Sequence, residues 1–311
     1  MQEIYIHVGL HKTGSTFLQN KVFPNLEKTT YIGRPYTQQN IAFNKLQYAD
    51  SSLYSKEEVN QEIKHFDHYK KVLISDEMFS GLPFNNYINR TMIADRLSQV
   101  FPEAKILLFI RNQKDLLLSL YNSYVKNNSG YLPINKFIWY PSKTYTYEDY
   151  IHSSMGWDFN SRYFNHMTHS INPVCFLYKQ LIDLYKSKFK NVEVFLYEDL
   201  ASSPQKLFSQ IEASIEDRIL EKEKINIKDK VNSSLDLKSI SKKREENKLK
   251  NITRNNFLLH IISQNTTKYY EVDEINYINK LVDNFYKENN QSLLKNYPDI
   301  GINKYPNCYQ I

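Results

Sequence analysis

Cysteine and long apolar runs are both scarce in this sequence. Only two cysteines occur among 311 residues, Cys175 and Cys308, far apart and without metal-ligand spacing, which indicates neither a disulfide framework nor a zinc site. No apolar run approaches the ~20 residues of a membrane span. The first strand-like run begins at Ile4 and leaves no room for a charged leader followed by an apolar segment. We therefore expect a cytoplasmic protein with plain thiols and no membrane span.

Charge of either sign is nearly balanced outside one segment. The net charge of +6 equals the excess of eleven Lys and Arg over five Asp and Glu between residues 222 and 254. Such a segment forms either a solvated helix and loop or a surface that attracts an anionic ligand. Because the rest of the chain is balanced, we do not expect a nucleic acid partner.

Four short apolar runs predict buried parallel strands. They are IYIHV (4–8), KVLIS (71–75), KILLFI (105–110) and VEVFLY (192–197). They are apolar or β-branched on both faces, as strands covered by helices on each side tend to be. Helical patterns follow the first, third and fourth runs, and the last of these places Ser202 and Gln205 at capping-box spacing with Pro204 in the first turn. The alternation predicts an α/β fold with a doubly wound parallel sheet.

An aromatic-rich stretch at residues 129–172 interrupts this alternation and contains both tryptophans, Trp139 and Trp157. We interpret it as a mostly helical insertion within a single domain over residues 1–311, which ends in a helical C-terminal region. The rings can form the core of a small subdomain or line an acceptor pocket, since flat rings stack on sugars and aromatic alcohols. The two roles are compatible.

The run IHVGLHKTGSTFLQ, residues 6–19, spaces Gly9 and Gly14 as a nucleotide-binding loop does, but Lys12 stands before the second glycine and Ser15 directly after it. In an NTPase loop, Lys and Ser/Thr follow that glycine and serve the γ-phosphate and Mg²⁺. Backbone N–H groups between a strand and a helix still suit an anion. We therefore expect a phosphate-binding loop without a metal. Lys12 would reach the bridging oxygen of a diphosphate-like group and neutralise the charge that develops as the terminal group leaves.

The run HVGLHKTGSTFLQ resembles the 5′-phosphosulfate loop of sulfotransferases that use 3′-phosphoadenosine 5′-phosphosulfate, and it is most similar to their bacterial and glycan-modifying branches. The resemblance implies a P-loop NTPase-like fold, adenosine 3′,5′-bisphosphate as product and no metal. It also implies that the donor is bound by Lys12, Thr13, Gly14, Ser15 and Thr16.

Two further motifs match the same family. FIRNQKDLLLSLY places Arg111 at a strand end and Ser119 eight residues later, and the resemblance implies that both bind the 3′-phosphate, for which the planar fork of arginine is suited. LISDEMFSG places Glu77 where glycan sulfotransferases carry the catalytic base, which takes the proton of the acceptor. Asp76 competes for this role, but on a strand the two carboxylates would point to opposite faces. We choose Glu77.

The C-terminal run INKYPN is similar to the Lys-Tyr-Pro end of the family loop that closes over the 3′-phosphate, which implies contacts from Lys304 and Tyr305. Ile302 and Asn303 replace the glycine and arginine of that loop. The candidates for contact with the acceptor are His11 in the phosphate loop and the tryptophans Trp139 and Trp157.

The motifs together imply a sulfotransferase that moves a sulfuryl group to a hydroxyl or amine of an acceptor, either a glycan or a small alcohol. Two other classes stay open. An ATP-dependent phosphotransferase with an atypical loop would require Mg²⁺ and a triphosphate. A non-catalytic module for anionic polymers would use the basic segment at 222–254, and its binding would depend steeply on salt.

Overall fold

The computed structural model describes residues 2–127, 130–138, 171–226, 237–252 and 271–311. Trp139, Trp157 and most of the predicted insertion lie outside the described residues. The same holds for parts of the basic segment, residues 227–236 and 253–254. The single-domain organisation and the role of the insertion therefore stay predictions.

A five-stranded parallel sheet forms the centre of the described structure. Its strands are β1 (Glu3–Gly9), β2 (Thr30–Ile32), β3 (Lys71–Ser75), β4 (Lys105–Ile110) and β5 (Asn191–Leu196). Their order across the sheet is β2-β3-β1-β4-β5, and every neighbouring pair is parallel. The chain thus builds one half of the sheet beside β1 and then crosses to the other half. The predicted α/β fold with a doubly wound parallel sheet is confirmed.

Successive strand residues face two separate apolar layers. In β1, Ile6 and Val8 pack in the larger layer and Tyr5 in the smaller one, and in β4, Leu108 and Phe109 divide in the same way. Because neighbouring side chains of a strand point to opposite sides, a sheet covered on both sides needs apolar residues at almost every position. This explains the continuous apolar runs from which the strands were predicted.

Helices cover both faces of the sheet. The α-helices of the described residues are α1 (Ser15–Phe17), α2 (Tyr36–Gln39), α3 (Ile41–Tyr48), α4 (Lys56–Ile63), α5 (Arg90–Val100), α6 (Gln113–Asn127), α7 (Ile134–Phe137), α8 (Tyr178–Lys188), α9 (Tyr197–Ser202), α10 (Pro204–Ile215), α11 (Leu237–Ile252), α12 (Glu271–Leu281), α13 (Lys287–Asn296) and α14 (Pro306–Tyr309). The smaller apolar layer takes residues from the helical segment after β1 and from α10, and most other helices pack in the larger layer. The predicted helical C-terminal region is present as α11 to α14. No helix in the described ranges is long and apolar enough to cross a membrane.

Short 3₁₀ or π-helical turns extend several of these elements. A π-helical turn, Leu18–Val22, and a 3₁₀ turn, Phe23–Asn25, continue α1, and a second π-helical turn, Val282–Tyr286, joins α12 to α13. The other 3₁₀ turns described are Lys64–His68, Glu77–Ser80, Pro83–Asn85, Pro173–Phe176, Lys222–Lys224, Pro298–Ile300 and Ile302–Lys304. Of these, Glu77–Ser80 follows β3 directly and shapes the candidate site.

The predicted strands and the observed ones agree closely, and the main errors concern short elements. β3 and β4 have the predicted bounds, while β1 and β5 differ by one residue at each end. β2 was not predicted, because its three residues are too few to show a strand pattern. The predicted capping box is wrong. Ser202 ends the separate helix α9, its hydroxyl donates to the Glu198 carbonyl, and Ser203 takes the N-cap position of α10.

One buried carboxylate fixes the C-terminal helix to the sheet. Glu198, in the first turn of α9 after β5, accepts hydrogen bonds at Oε1 from the backbone N and Nδ2 of Asn112, both at 2.8 Å. Its Oε2 accepts from the hydroxyl of Tyr309 in α14 at 2.9 Å. Burial and the neighbouring Glu198 raise the pKa of Tyr309, so this hydroxyl stays protonated and donates. The ends of β4 and β5 and the end of the chain are thereby joined.

Replacing Tyr309 with phenylalanine should therefore destabilise the protein. Tyr309→Phe leaves a buried carboxylate oxygen without its donor, and we expect the free energy of unfolding to fall by about 1.5–3 kcal/mol in urea titrations. Tyr305→Phe is the matched control: that hydroxyl donates to Asp199 at 2.8 Å in a partly exposed setting, where water can replace it, so the loss should be smaller. Equal small losses for the two variants would contradict the role of Glu198.

Candidate functional site

The carboxyl ends of the five parallel strands meet at one edge of the sheet, where ligands of open α/β sheets bind. The predicted loop lies there, between β1 and α1, and it turns at two residues with positive φ, Lys12 (70°) and Gly14 (85°). The left-handed conformation costs a non-glycine residue roughly 1–2 kcal/mol. Two hydrogen bonds hold it: the Thr13 hydroxyl donates to the Leu10 carbonyl at 2.5 Å, and Arg111 Nη1 donates to the Lys12 carbonyl at 3.1 Å. The strained lysine is therefore fastened to the end of β4.

Arg111, just after β4, has further N–H donors that this bond does not use. Its guanidinium lies over the ring of Tyr197 at 4.3 Å, and its Nη2 lies 4.0 Å from an Asp115 carboxylate oxygen, too far for a hydrogen bond. Its Nε is buried and, within the described ranges, has no hydrogen-bond partner. Nε and Nη2 together match the bidentate contact that arginine makes with phosphate.

Four of the twelve buried side-chain polar atoms that have no hydrogen-bond partner among the described residues lie in or beside the loop. They are His7 Nε2, His11 Nδ1, Ser15 Oγ and Arg111 Nε. More than nine in ten such groups are normally paired, and each orphan costs about 1–3 kcal/mol. A Cβ on Gly9 would lie 2.4 Å from Ser15 Oγ and 2.7 Å from His7 Nε2, so only glycine leaves room for these two atoms. The loop keeps polar atoms unsatisfied at a cost, as a loop that binds a polar ligand does.

His11, the predicted acceptor contact, is neutral. Burial lowers its pKa to about 3, and the nearby cations Arg34, Lys12 and Arg90 contribute to the lowering against the effect of Asp76. A group with so low a pKa is a weak base at neutral pH. His11 can therefore offer a hydrogen bond in this site, but it is poorly suited to take a proton from an acceptor.

His7 in β1 lies beneath the loop and was not singled out from the sequence. Its ring lies between those of Phe23 and Phe109, with centroids 5.0 Å away in each case. Its Nδ1 lies 2.7 Å from Ser75 Oγ, which also accepts from Gln19 Nε2 at 3.0 Å. Burial lowers the pKa of His7 to about 3, so this chain of polar groups is neutral. A lone histidine in an apolar strand was the only sequence signal for it.

Both predicted carboxylates contact one arginine, Arg34, which follows β2. Arg34 Nη2 lies 2.9 Å from Asp76 Oδ1, and its Nη1 lies 2.8 Å from Glu77 Oε1. The prediction that the two carboxylates point to opposite faces is wrong, because β3 ends at Ser75 and Glu77 begins a 3₁₀ turn. Strand alternation therefore does not apply to them. Arg34 was missed because β2 itself could not be recognised.

Asp76 and Glu77 nevertheless differ in what their oxygens do. Asp76 is fully buried, and its oxygens also accept from the backbone N of Met78 at 3.0 Å and the hydroxyl of Thr37 at 2.7 Å. The Glu77 side chain is 18% exposed, and within the described part of the chain its Oε2 accepts no hydrogen bond. Both oxygens of Asp76 are thus used in hydrogen bonds within the protein, whereas Oε2 of Glu77 is available to another partner.

Lys12 and Glu77 act on each other electrostatically. Burial lowers the pKa of Lys12, the charge of Glu77 acts in the opposite direction, and Lys126 near the end of α6 adds to the lowering. The pKa of Lys12 thus depends on groups from the 3₁₀ turn after β3 and from α6.

The contacts described for the remaining predicted residues connect them less directly to the loop. Ser119 lies in α6 four residues after Asp115, so the two share one face of that helix, and Arg111, which precedes α6, lies 4.0 Å from the Asp115 carboxylate. Thr16 is half-buried in α1. The Tyr305 hydroxyl is engaged with Asp199 and Ser202, both at 2.8 Å. Lys304 is exposed, and no described contact joins it to the loop. Across the described residues, no group of three or more His, Cys, Asp or Glu is arranged to hold a metal ion.

Comparison with known proteins gives limited similarity. No known protein family and no curated protein matches the chain. Among solved structures it is similar to a sulfotransferase from Alicyclobacillus acidocaldarius, with 16% identity, a TM-score of 0.46, and coverage of 84% of this chain and 99% of that one. It is also similar to mouse sulfotransferase SULT7A1 complexed with PAP, with 16% identity, a TM-score of 0.38, and coverage of 99% of this chain and 88% of that one. Values this low assign neither a family nor an activity.

The buried neutral state of His7 predicts a specific dependence of stability on pH. Its folded pKa of about 3 lies below the unfolded value near 6.5, so between these values only the unfolded chain binds the proton. Stability is therefore lost as pH falls, by about 2 kcal/mol between pH 7 and pH 5 for this one group. In urea titrations at both pH values, His7→Gln, which removes the titrating group, should lose about 2 kcal/mol less than wild type. Equal losses would show that His7 is protonated in the folded state.

Proposed function

We propose that this protein transfers a sulfuryl group from 3′-phosphoadenosine 5′-phosphosulfate to a hydroxyl or amine of an acceptor glycan. The observation that carries the proposal is the loop after β1. Its lysine stands before the second glycine in a left-handed conformation and is fastened to Arg111, and buried polar atoms without a partner in the described part of the chain lie in and beside the loop. Such a loop suits an anion, and the charge of Glu77 acts on the pKa of its lysine.

The chain's own groups fit such a donor. The backbone N–H groups of residues 13–16 and the hydroxyls of Ser15 and Thr16 would hold the 5′-phosphosulfate, and the orphaned Ser15 Oγ supports this. Arg111, with Nε and Nη2 unused, would bind the 3′-phosphate together with Ser119. Lys304 and Tyr305 are weaker candidates for the same phosphate, because the Tyr305 hydroxyl already has two partners.

The reaction is one in-line displacement at sulfur. The acceptor oxygen forms a bond to sulfur while its proton passes to the carboxylate of Glu77, which has Oε2 available. The bond between sulfur and the bridging phosphate oxygen breaks, and its electron pair stays on that oxygen. Lys12 would neutralise the charge that develops there. The products are a sulfated acceptor and adenosine 3′,5′-bisphosphate, the sulfuryl group itself being supplied in activated form by the donor.

Glu77 fits the role of base better than the other titratable groups at the strand ends. Asp76 is fully buried and bound on both oxygens, and His11 has a pKa of about 3. Glu77 is partly exposed and close enough to Lys12 to affect its pKa. A base and a leaving-group cation that lie near each other are what a displacement at one sulfur atom requires.

Nucleotide preference tests the donor. Calorimetry should show that the chain binds adenosine 3′,5′-bisphosphate in preference to ATP with Mg²⁺. Arg111→Met should weaken binding of the bisphosphate about 10- to 100-fold, the worth of a charge-assisted hydrogen bond or two. Arg218→Met, at an exposed arginine elsewhere, is the control and should leave binding unchanged.

A preference for the triphosphate would overturn the proposal in favour of a phosphotransferase. Salt-sensitive binding of anionic polymers that survives Arg111→Met would favour a binding module.

Turnover tests the catalytic assignment. With labelled donor and a panel of glycans and small alcohols, Glu77→Gln and Lys12→Met should each lower kcat by roughly 100-fold or more, because one removes the base and the other the cation at the leaving oxygen. Glu58→Gln, at an exposed carboxylate paired with Lys45, should keep wild-type turnover. If Glu77→Gln at saturating acceptor turns over like wild type, Glu77 is not the base.

A further inference from the structure

We infer that Arg34 is a positioning residue for Glu77: it holds one carboxylate oxygen so that the other is directed to the acceptor. The inference rests on the proposed function, since Glu77 is there the group that takes the proton. Arg34 belongs to none of the recognised motifs, and it reaches the site from the turn after β2, two strands away from β1. Its role follows from contacts alone.

The guanidinium of Arg34 bridges two carboxylates in consecutive positions. Nε and Nη2 donate to Asp76 Oδ1 at 3.3 and 2.9 Å, while Nη1 donates to Glu77 Oε1 at 2.8 Å. Burial acts to lower the pKa of Arg34, but Asp76 and Glu77 outweigh it and raise that pKa. The guanidinium therefore stays charged, and its planar fork fixes the direction as well as the distance of each contact.

Asp76 anchors this arrangement in the fold. It is fully buried, and its remaining contacts, from the hydroxyl of Thr37 and the backbone N of Met78, satisfy both of its oxygens. A buried carboxylate held from three directions has little freedom to move. Since Arg34 is bound to it through two nitrogens, the third nitrogen is presented to Glu77 from a fixed position.

The effect on Glu77 is to distinguish its two oxygens. Oε1 is occupied by Arg34, and among the described residues Oε2 accepts no hydrogen bond. A flexible carboxylate in the first residue of a 3₁₀ turn would otherwise sample several orientations, and a small displacement of a reacting group can cost ~100-fold in rate. Arg34 removes that freedom on one side only and leaves the proton-accepting side open.

The charge balance is compatible with a base. Asp76 takes two of the three donor nitrogens, so the cation is shared, and the group of Arg34, Asp76 and Glu77 carries a net charge of −1. Glu77 accepts only one of the three bonds from Arg34, and its side chain is 18% exposed while Asp76 is fully buried. Arg34 can thus orient Glu77 without cancelling the charge that attracts a proton.

The test replaces Arg34 and separates orientation from stability. Arg34→Met should lower kcat about 10- to 100-fold, with the KM for the donor and the Kd for adenosine 3′,5′-bisphosphate within about twofold of wild type. Arg34→Lys should recover only part of the loss, since an ammonium lacks the fork. Added guanidinium ion should restore part of the activity of Arg34→Ala. The control is Arg96→Met, which removes a buried arginine that donates to the Lys45 and Leu46 carbonyls and should lower the melting temperature while keeping kcat.

Melting temperatures supply a readout that needs no activity. If Arg34 and Glu77 are paired, the losses of Arg34→Met and Glu77→Gln are not additive, and the double variant melts close to Arg34→Met. Additive losses, or wild-type kcat in Arg34→Met, would overturn the inference while leaving the proposed function intact. Failure of the wild-type chain both to bind the bisphosphate and to transfer the sulfuryl group would overturn the proposed function instead, and the positioning role with it.

Discussion

The candidate site depends on one hydrogen bond, from Arg111 Nη1 to the carbonyl of Lys12. Lys12 has a φ of 70°, a conformation that a lysine adopts only when its surroundings compensate for the strain. The bond supplies part of that compensation and joins the loop after β1 to the end of β4. The ring of Tyr197, under the same guanidinium, lies where a Cβ on Gly14 would come within 3.3 Å of it. Three strand ends therefore support one turn.

The unsatisfied polar atoms around the loop lower the stability of the fold. Ser15 Oγ, His7 Nε2 and Arg111 Nε are buried beneath and beside the loop, and no residue that the structure describes gives them a hydrogen-bond partner. Most proteins avoid such groups because each costs about 1–3 kcal/mol. The apolar layers on both faces of the sheet supply the stability that offsets this cost. A folded scaffold that keeps donors unpaired at the carboxyl ends of its strands is pre-organised for a polar ligand, which gains the contacts that the protein lacks.

The sequence predicted what continuous patterns and local motifs encode. Runs such as KILLFI showed a strand with the observed bounds because five of its six positions face an apolar layer, and the glycine spacing located the loop. Arg34 could not be found in this way, since it follows a three-residue strand and meets Glu77 across 43 residues of chain. The orientation of the two carboxylates was predicted wrongly for a related reason. The alternation of side chains ends where β3 passes into a 3₁₀ turn, and nothing in the local sequence marks that point. His7 was overlooked because its burial between two rings is a tertiary property.

The two arginines at the strand ends, Arg111 and Arg34, differ in the groups that hold them. Both rely on the planar, multiple-donor guanidinium, which lysine lacks. Arg111 is held by a backbone carbonyl and an aromatic ring, which satisfy little of its hydrogen-bonding capacity and leave donors for an anion. Arg34 is held by two carboxylates, which accept from all three of its nitrogens, so we infer that it acts on a neighbour rather than on a ligand. In the proposed function, the same kind of side chain would bind a donor phosphate at one strand end and orient a base at another, according to whether its partners are neutral or anionic.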